Sequence, residues 1–193
     1  MKRSMYIITV LFAFLVSFSA SADVDFDKYF KDQTMRLDFY HTGTATEEHF
    51  SVDQMVNDGI WAGSTTQLVD DLALGKYLFE IQDPETGKVL FSRGFSSIYG
   101  EWETTPAAKN EWGVFHESMR FPWPKQPVKV VLYKRNDQQK FDQVWEYDLD
   151  PQYRKVNSAK LNSPYEVYDV VENGDPHEKV DIVVLSEGYT KDE

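Results

Sequence analysis

Tyr77-Leu78-Phe79-Glu80-Ile81-Gln82-Asp83-Pro84-Glu85-Thr86-Gly87-Lys88-Val89-Leu90-Phe91 is the stretch that decides the fold class. Tyr77, Phe79 and Ile81 recur at every second position and so share one face of an extended chain. Asp83 to Gly87 reverses the direction, because Pro84 presets φ for the turn and Gly87 tolerates φ > 0. Val89 and Phe91 then open a returning strand. The stretch reads as an antiparallel hairpin.

The same period of two continues on both sides. Met35, Leu37 and Phe39 alternate with Arg36, Asp38 and Tyr40, and Phe50 and Val52 alternate with Ser51 and Asp53 before a turn at Asn57-Asp58-Gly59. Phe115, Met119 and Phe121 suggest a strand that Pro122-Trp123-Pro124 should stop. Val128 to Tyr133 is a β-branched run suited to a central strand. In the last strand Phe141, Trp145, Tyr147 and Leu149 face one way, and Asp142, Glu146, Asp148 and Asp150 the other. Such alternation means one buried and one wet face. Six or seven strands without a long helical pattern predict a mainly β fold, an antiparallel β-sandwich over residues 23–150. Only Asp23 to Asp32 and Gln67 to Leu74 have room for a helical turn or two.

The first 22 residues follow the pattern of a secretory signal peptide. Lys2 and Arg3 precede an apolar stretch from Ile7 to Phe18, and Ala20-Ser21-Ala22 supplies the small-x-small cleavage pattern. A stretch of about 12 residues is short for a bilayer span, which takes about 20; an uncleaved anchor is the alternative. The expected location is therefore secreted, periplasmic or cell-surface, with no membrane span after cleavage. The chain has no cysteine, which excludes disulfides and lipid attachment at a mature N-terminal Cys. Of 20 basic and 32 acidic residues the leader removes two basic ones and no acidic one, leaving a net charge of −14. So acidic a chain repels phosphate backbones, and nucleic acid is not an expected partner.

After Pro151 the character changes. Residues 151–176 read as a linker, with Ser, Asn and Pro between Asn157 and Pro164 and a possible short strand from Tyr165 to Val171. Val180-Asp181-Ile182-Val183-Val184-Leu185 is nearly continuous in its hydrophobicity, as strands buried on both faces of a parallel sheet are. Ser186-Glu187-Gly188-Tyr189 follows, and Thr190 and Glu193 have capping-box spacing. Strand, loop and capped helix start predict the first strand of a truncated α/β domain over residues 177–193, whose remaining strands lie beyond Glu193. A frayed tail packed on the sandwich is the alternative.

Chemistry-bearing motifs are scarce. The four histidines are His41, His49, His116 and His177, and no HExxH occurs. His116-Glu117 and His177-Glu178 lack the second histidine and read as surface strand or loop residues. Asp23, Asp25 and Asp27 have the spacing of a calcium loop's start but lack its glycine and its final glutamate, and read as a solvated segment. Ser186 lacks the flanking glycines of a nucleophile elbow, and no glycine-rich phosphate loop is present. Catalytic, cofactor-binding and metal residues are therefore all none in this chain. Trp61, Trp102, Trp112 and Trp123 lie in apparent loops or strand ends, where they either plug the sandwich or stack on sugars.

Asn173-Gly174-Asp175, the segment from Lys179 to Leu185, and Gly188-Tyr189-Thr190 together resemble the opening of the catalytic domain in bacterial metallopeptidases typified by immunoglobulin A protease. Members carry a Gly-Asp-Gly-Tyr-Thr loop after a D-I-V strand; Ser186-Glu187-Gly188-Tyr189-Thr190 stands here, a departure at two positions. Asp23 to Asp150 resembles the β-sandwich that many members from gut bacteria place before the peptidase, including Gly100-Glu101-Trp102 and Phe121-Pro122-Trp123-Pro124. The resemblance implies a secreted endopeptidase in which an HExxH helix holds zinc and the metal activates water. None of those residues occurs in this chain, so zinc is implied only for the missing catalytic domain and Glu187 is assigned no role. The implied partners are the chain's own C-terminal peptidase domain and a protein or glycoprotein substrate. Two other readings are a non-enzymatic module binding glycan or protein at the cell surface, and a structural spacer.

Overall fold

The computed structural model describes residues 24–160, 169–175, 177–180 and 182–184. A single helical turn, α1 (Phe26–Tyr29), capped by the Asp25 side chain, leads into β1 (Phe30–Gly43). The other strands are β2 (Glu48–Asn57), β3 (Tyr77–Gln82), β4 (Val89–Phe95), β5 (Gly113–Pro124), β6 (Val128–Arg135), β7 (Phe141–Leu149) and β8 (Val156–Asn157). A short helix, α2 (Ile98–Trp102), lies between β4 and β5. Among the described residues two four-stranded sheets form, one ordered β5-β1-β2-β8 and the other β4-β3-β6-β7. All pairings are antiparallel except β2 with β8. The β-sandwich read from the sequence is the fold.

Alternation builds the core. Met35, Leu37 and Phe39 of β1 and Met119 and Phe121 of β5 face Tyr77, Phe79 and Ile81 of β3 and Val130 and Leu132 of β6, all buried. Phe79 and Phe121 meet across the two sheets with ring centroids 6.3 Å apart. Burying such side chains contributes about 1.5–3 kcal/mol each, the main driving term where disulfides are absent. The hairpin follows its sequence reading: Gly87 has φ +69°, its N–H donates to Asp83 O at 2.9 Å, and Ile81 pairs with Phe91.

Several local readings change. Pro122-Trp123-Pro124 does not stop β5, which continues to Pro124 and pairs with Thr34, Lys31 and Phe30. β5 is an edge strand with a register irregularity there, so the missing proline N–H groups break no interior ladder. In β7 Leu132 pairs with Trp145 but Tyr133 pairs with Gln143. Val144 is thus a bulge that flips the strand's phase, and it moves Phe141 off the face shared by Trp145, Tyr147 and Leu149. Phe141 lies instead under the Arg135 guanidinium, 4.3 Å from its ring. Residues 67–74 form no helix, because Asp70 draws the Leu72 and Ala73 N–H groups to Oδ1 and that of Gly94 to Oδ2.

Beyond β7 the chain crosses to the other sheet, where Val156 and Asn157 pair with β2 and Asn57 Nδ2 donates to Ser158 O. Val180, Ile182, Val183 and Val184 are highly exposed and carry no regular secondary structure. The leader, the segment from Ser186 to Glu193, and Asp181 and Leu185 lie outside the described residues.

Candidate functional site

Where β1 ends, its inward alternation meets polar residues. His41 continues the series Met35, Leu37, Phe39, and is only 1% exposed. Glu48 holds the same phase on β2, where a bulge between Val52 and Gln54 keeps the inward positions aligned. Glu117 lies inward on β5 between Phe115 and Met119. Across the sandwich, Tyr77 and Lys134 pair at the matching ends of β3 and β6.

These groups close on one another. His41 Nε2 lies 3.0 Å from Glu48 Oε2, and His41 Nδ1 lies 3.2 Å from Glu117 Oε2. Tyr77 Oη donates to Glu48 Oε2 at 3.0 Å. Lys134 Nζ donates to Glu48 Oε1 at 3.0 Å and to Glu103 Oε2 at 2.8 Å, and Lys76 Nζ bonds the other Glu103 oxygen. Tyr99 of α2 stacks on the imidazole, with centroids 3.8 Å apart, and its hydroxyl donates to Thr44 O and Glu47 O. Gly43 makes this closure possible, since a Cβ there would fall 2.1 Å from Glu47 O and 2.5 Å from the Tyr99 hydroxyl.

The electrostatics follow from this packing. Burial by itself would lower the His41 pKa, but its bonds to Glu117 and Glu48 outweigh that and hold it above the ordinary histidine value. Burial would likewise raise the Glu48 carboxyl; His41 and the Lys134 charge hold it below the carboxylate range instead. The Tyr77 and Tyr99 phenols are pushed up by burial and by the charges of Glu48 and Glu103. Among the described residues no buried side-chain nitrogen or oxygen lacks a partner. A network whose groups are all spent on each other fixes geometry and holds no free base or nucleophile.

Zinc does not fit these residues. Among the described residues no three His, Cys, Asp or Glu side chains are placed to hold a metal, and both His41 nitrogens already face carboxylates. His116 lies on the outer face, 3.1 Å from Asp53, as a surface strand residue. Glu117, read as its surface neighbour, points inward. His177 meets Gly63 O at 3.1 Å and approaches Asp32 at 3.6 Å, at the far end of the sandwich. Asp25 and Asp27 are exposed. From the sequence His41 and Glu48 receive no role and Glu117 is placed on the surface, although each is a polar residue in the inward phase of a strand. That phase was the available signal.

The tryptophans divide. Trp61 and Trp123 are buried plugs, Trp61 standing edge-on to Phe91 at 5.6 Å. Trp102 is half-buried against Phe115. Trp112 is 54% exposed and stacks on His49, on the outer face that also carries Tyr40, Val114 and His116.

Compared with known proteins, residues 25–146 match a family model described as "Peptidase M64 N-terminus". No curated protein matches the chain.

Proposed function

We propose, from the premise that this chain belongs to the peptidase M64 N-terminus family, that its sandwich is the accessory domain of a secreted zinc metallopeptidase resembling immunoglobulin A protease. The observation that carries the reading is the extent of the match: residues 25–146 take in β1 to β6 and most of β7. The residues from Lys179 to Thr190 add the resemblance to a peptidase domain's opening, and the leader at 1–22 adds export. The closed network at His41 supports a scaffold role, because none of its groups is free to do peptide-bond chemistry. The zinc and its HExxH helix belong to a following domain, and the sandwich orients that domain or helps to hold a protein or glycoprotein substrate.

The test is to compare the product of the whole reading frame with the 193-residue chain on a denatured protein substrate. Chelator-sensitive cleavage is expected from the first and none from the second. A reading frame that continues for a few hundred residues without HExxH would end the proposal.

A second reading, a glycan- or protein-binding module, is favoured by one observation: the exposed Trp112–His49 stack beside Tyr40 and Val114. Trp61 and Trp123 drop out of it because they are buried. It expects glycan-array binding that Trp112→Ala abolishes, and an array without hits removes it.

A further inference from the structure

We propose that His41 is held as a buried imidazolium and works as a proton-dependent latch, joining the two sheets at their Gly43 end and releasing α2 when it loses a proton. The case starts from proton counting. A neutral imidazole has one N–H and one lone pair, whereas the imidazolium has two N–H groups. Both His41 nitrogens face carboxylate oxygens, at 3.0 and 3.2 Å. With a neutral ring, one nitrogen lone pair would confront a carboxylate lone pair at hydrogen-bond distance in a desolvated site, and such a contact repels. Two donated bonds remove the conflict.

Charge balance agrees. The groups that face His41 or its direct partners are Glu48 on β2, Glu117 on β5, Lys134 on β6, Lys76 and Tyr77 at the start of β3, and Tyr99 and Glu103 in and after α2. Three carboxylates stand against two ammonium groups, so a charged His41 brings the cluster to neutrality. A neutral His41 leaves one negative charge without a counterion, with Glu48 and Glu117 on either side of the ring. The packing that depends on this ring is specific. Tyr99 stacks on it and, through its hydroxyl, holds the turn at residues 44–47, while the Tyr99 N–H donates to Glu117 Oε1 at 3.5 Å. Losing the proton therefore loosens α2 and that turn before the apolar core. The inference does not rest on the peptidase reading.

The test is long-range ¹H–¹⁵N NMR of the full chain from pH 5 to pH 9, with His41 assigned by the signal lost in His41→Gln. Both ring nitrogens are expected to be protonated at about pH 7.5, where histidine in an unfolded chain is mostly neutral. Glu117→Gln and Glu48→Gln should each lower the His41 midpoint by about one pH unit or more. Amide exchange, corrected for its intrinsic pH dependence, should lose protection at residues 44–47 and 98–103 through the His41 midpoint but not at Leu37 to Phe39. A lone-pair nitrogen at pH 7.5, an unmoved midpoint in a folded Gln variant, or protection that does not change through the midpoint overturns the proposal. If neither Gln variant folds, the native chain's spectrum and exchange profile decide.

Discussion

The sandwich closes its two ends by opposite means. At the end where β1 begins, Phe30, Trp61, Leu68 and Trp123 form an apolar plug, and all four are buried. At the end where β1 finishes, His41, Glu48, Glu117, Lys134 and Glu103 fill the same gap between the sheets with charge. The plug is stabilised by area removed from water, which does not depend on pH. The charged end is stabilised only while each buried charge keeps its partner, because desolvation is costly for any charge left over. One end is therefore insensitive to protons, and the other reports them.

Linkage gives the sign. Glu48 has a lowered folded pKa, so its contribution is present above the ordinary value of 4.5 and is lost as pH falls through the folded value. His41 has a raised folded pKa, so its contribution is complete below the ordinary value of 6.5 and is lost as pH rises through the folded value. The charged end contributes most between these two ordinary values and declines on both sides.

The contrast can be broken by substitution. The largest effect is expected at the plug: Trp123→Ala should cost about 3–5 kcal/mol, measured by urea unfolding. Its stability curve should run parallel to that of the native chain from pH 5 to pH 8. His41→Gln should cost about 3 kcal/mol at pH 6, and the difference from the native chain should shrink as pH rises through the folded His41 pKa. A difference independent of pH would make the two ends alike. Phe141→Ala should cost only about 1 kcal/mol, the scale of an outer-face cation–π contact with Arg135. A loss of about 3–5 kcal/mol there would place Phe141 in the core and remove the bulge at Val144. Trp112→Ala, on the exposed face, should change stability by no more than about 0.5 kcal/mol, so that any loss of ligand binding can be read as binding.

What could be read from the sequence follows from the period of two. Alternation does not depend on which strands eventually meet, so Met35 to Phe39 and Tyr77 to Ile81 show their faces without any pairing, whereas the β-branched run from Val128 to Tyr133 shows only a central strand. The hairpin was equally local, since Asp83 to Gly87 specifies its own turn. The family's N-terminal domain was reached through resemblance, and the match over residues 25–146 agrees with it at that level. The charged site was not reached. Glu48 is only seven positions from His41, but Glu117 is 76 away, and the inward phase of a lone histidine marks it as buried without showing which carboxylates from other strands stand beside it.

The sequence by itself determined the β class, the core faces, the hairpin turn and the lack of HExxH, because each depends on residues within about ten positions of one another. Tertiary structure alone decided that β5 runs through its two prolines, that a bulge turns Phe141 outward, and that three glutamates, two lysines and a histidine share one neutral cluster. The reason is physical. An edge position, a register shift and a charge balance are properties of which strand lies beside which, and the two-sheet packing sets that over separations no local pattern spans.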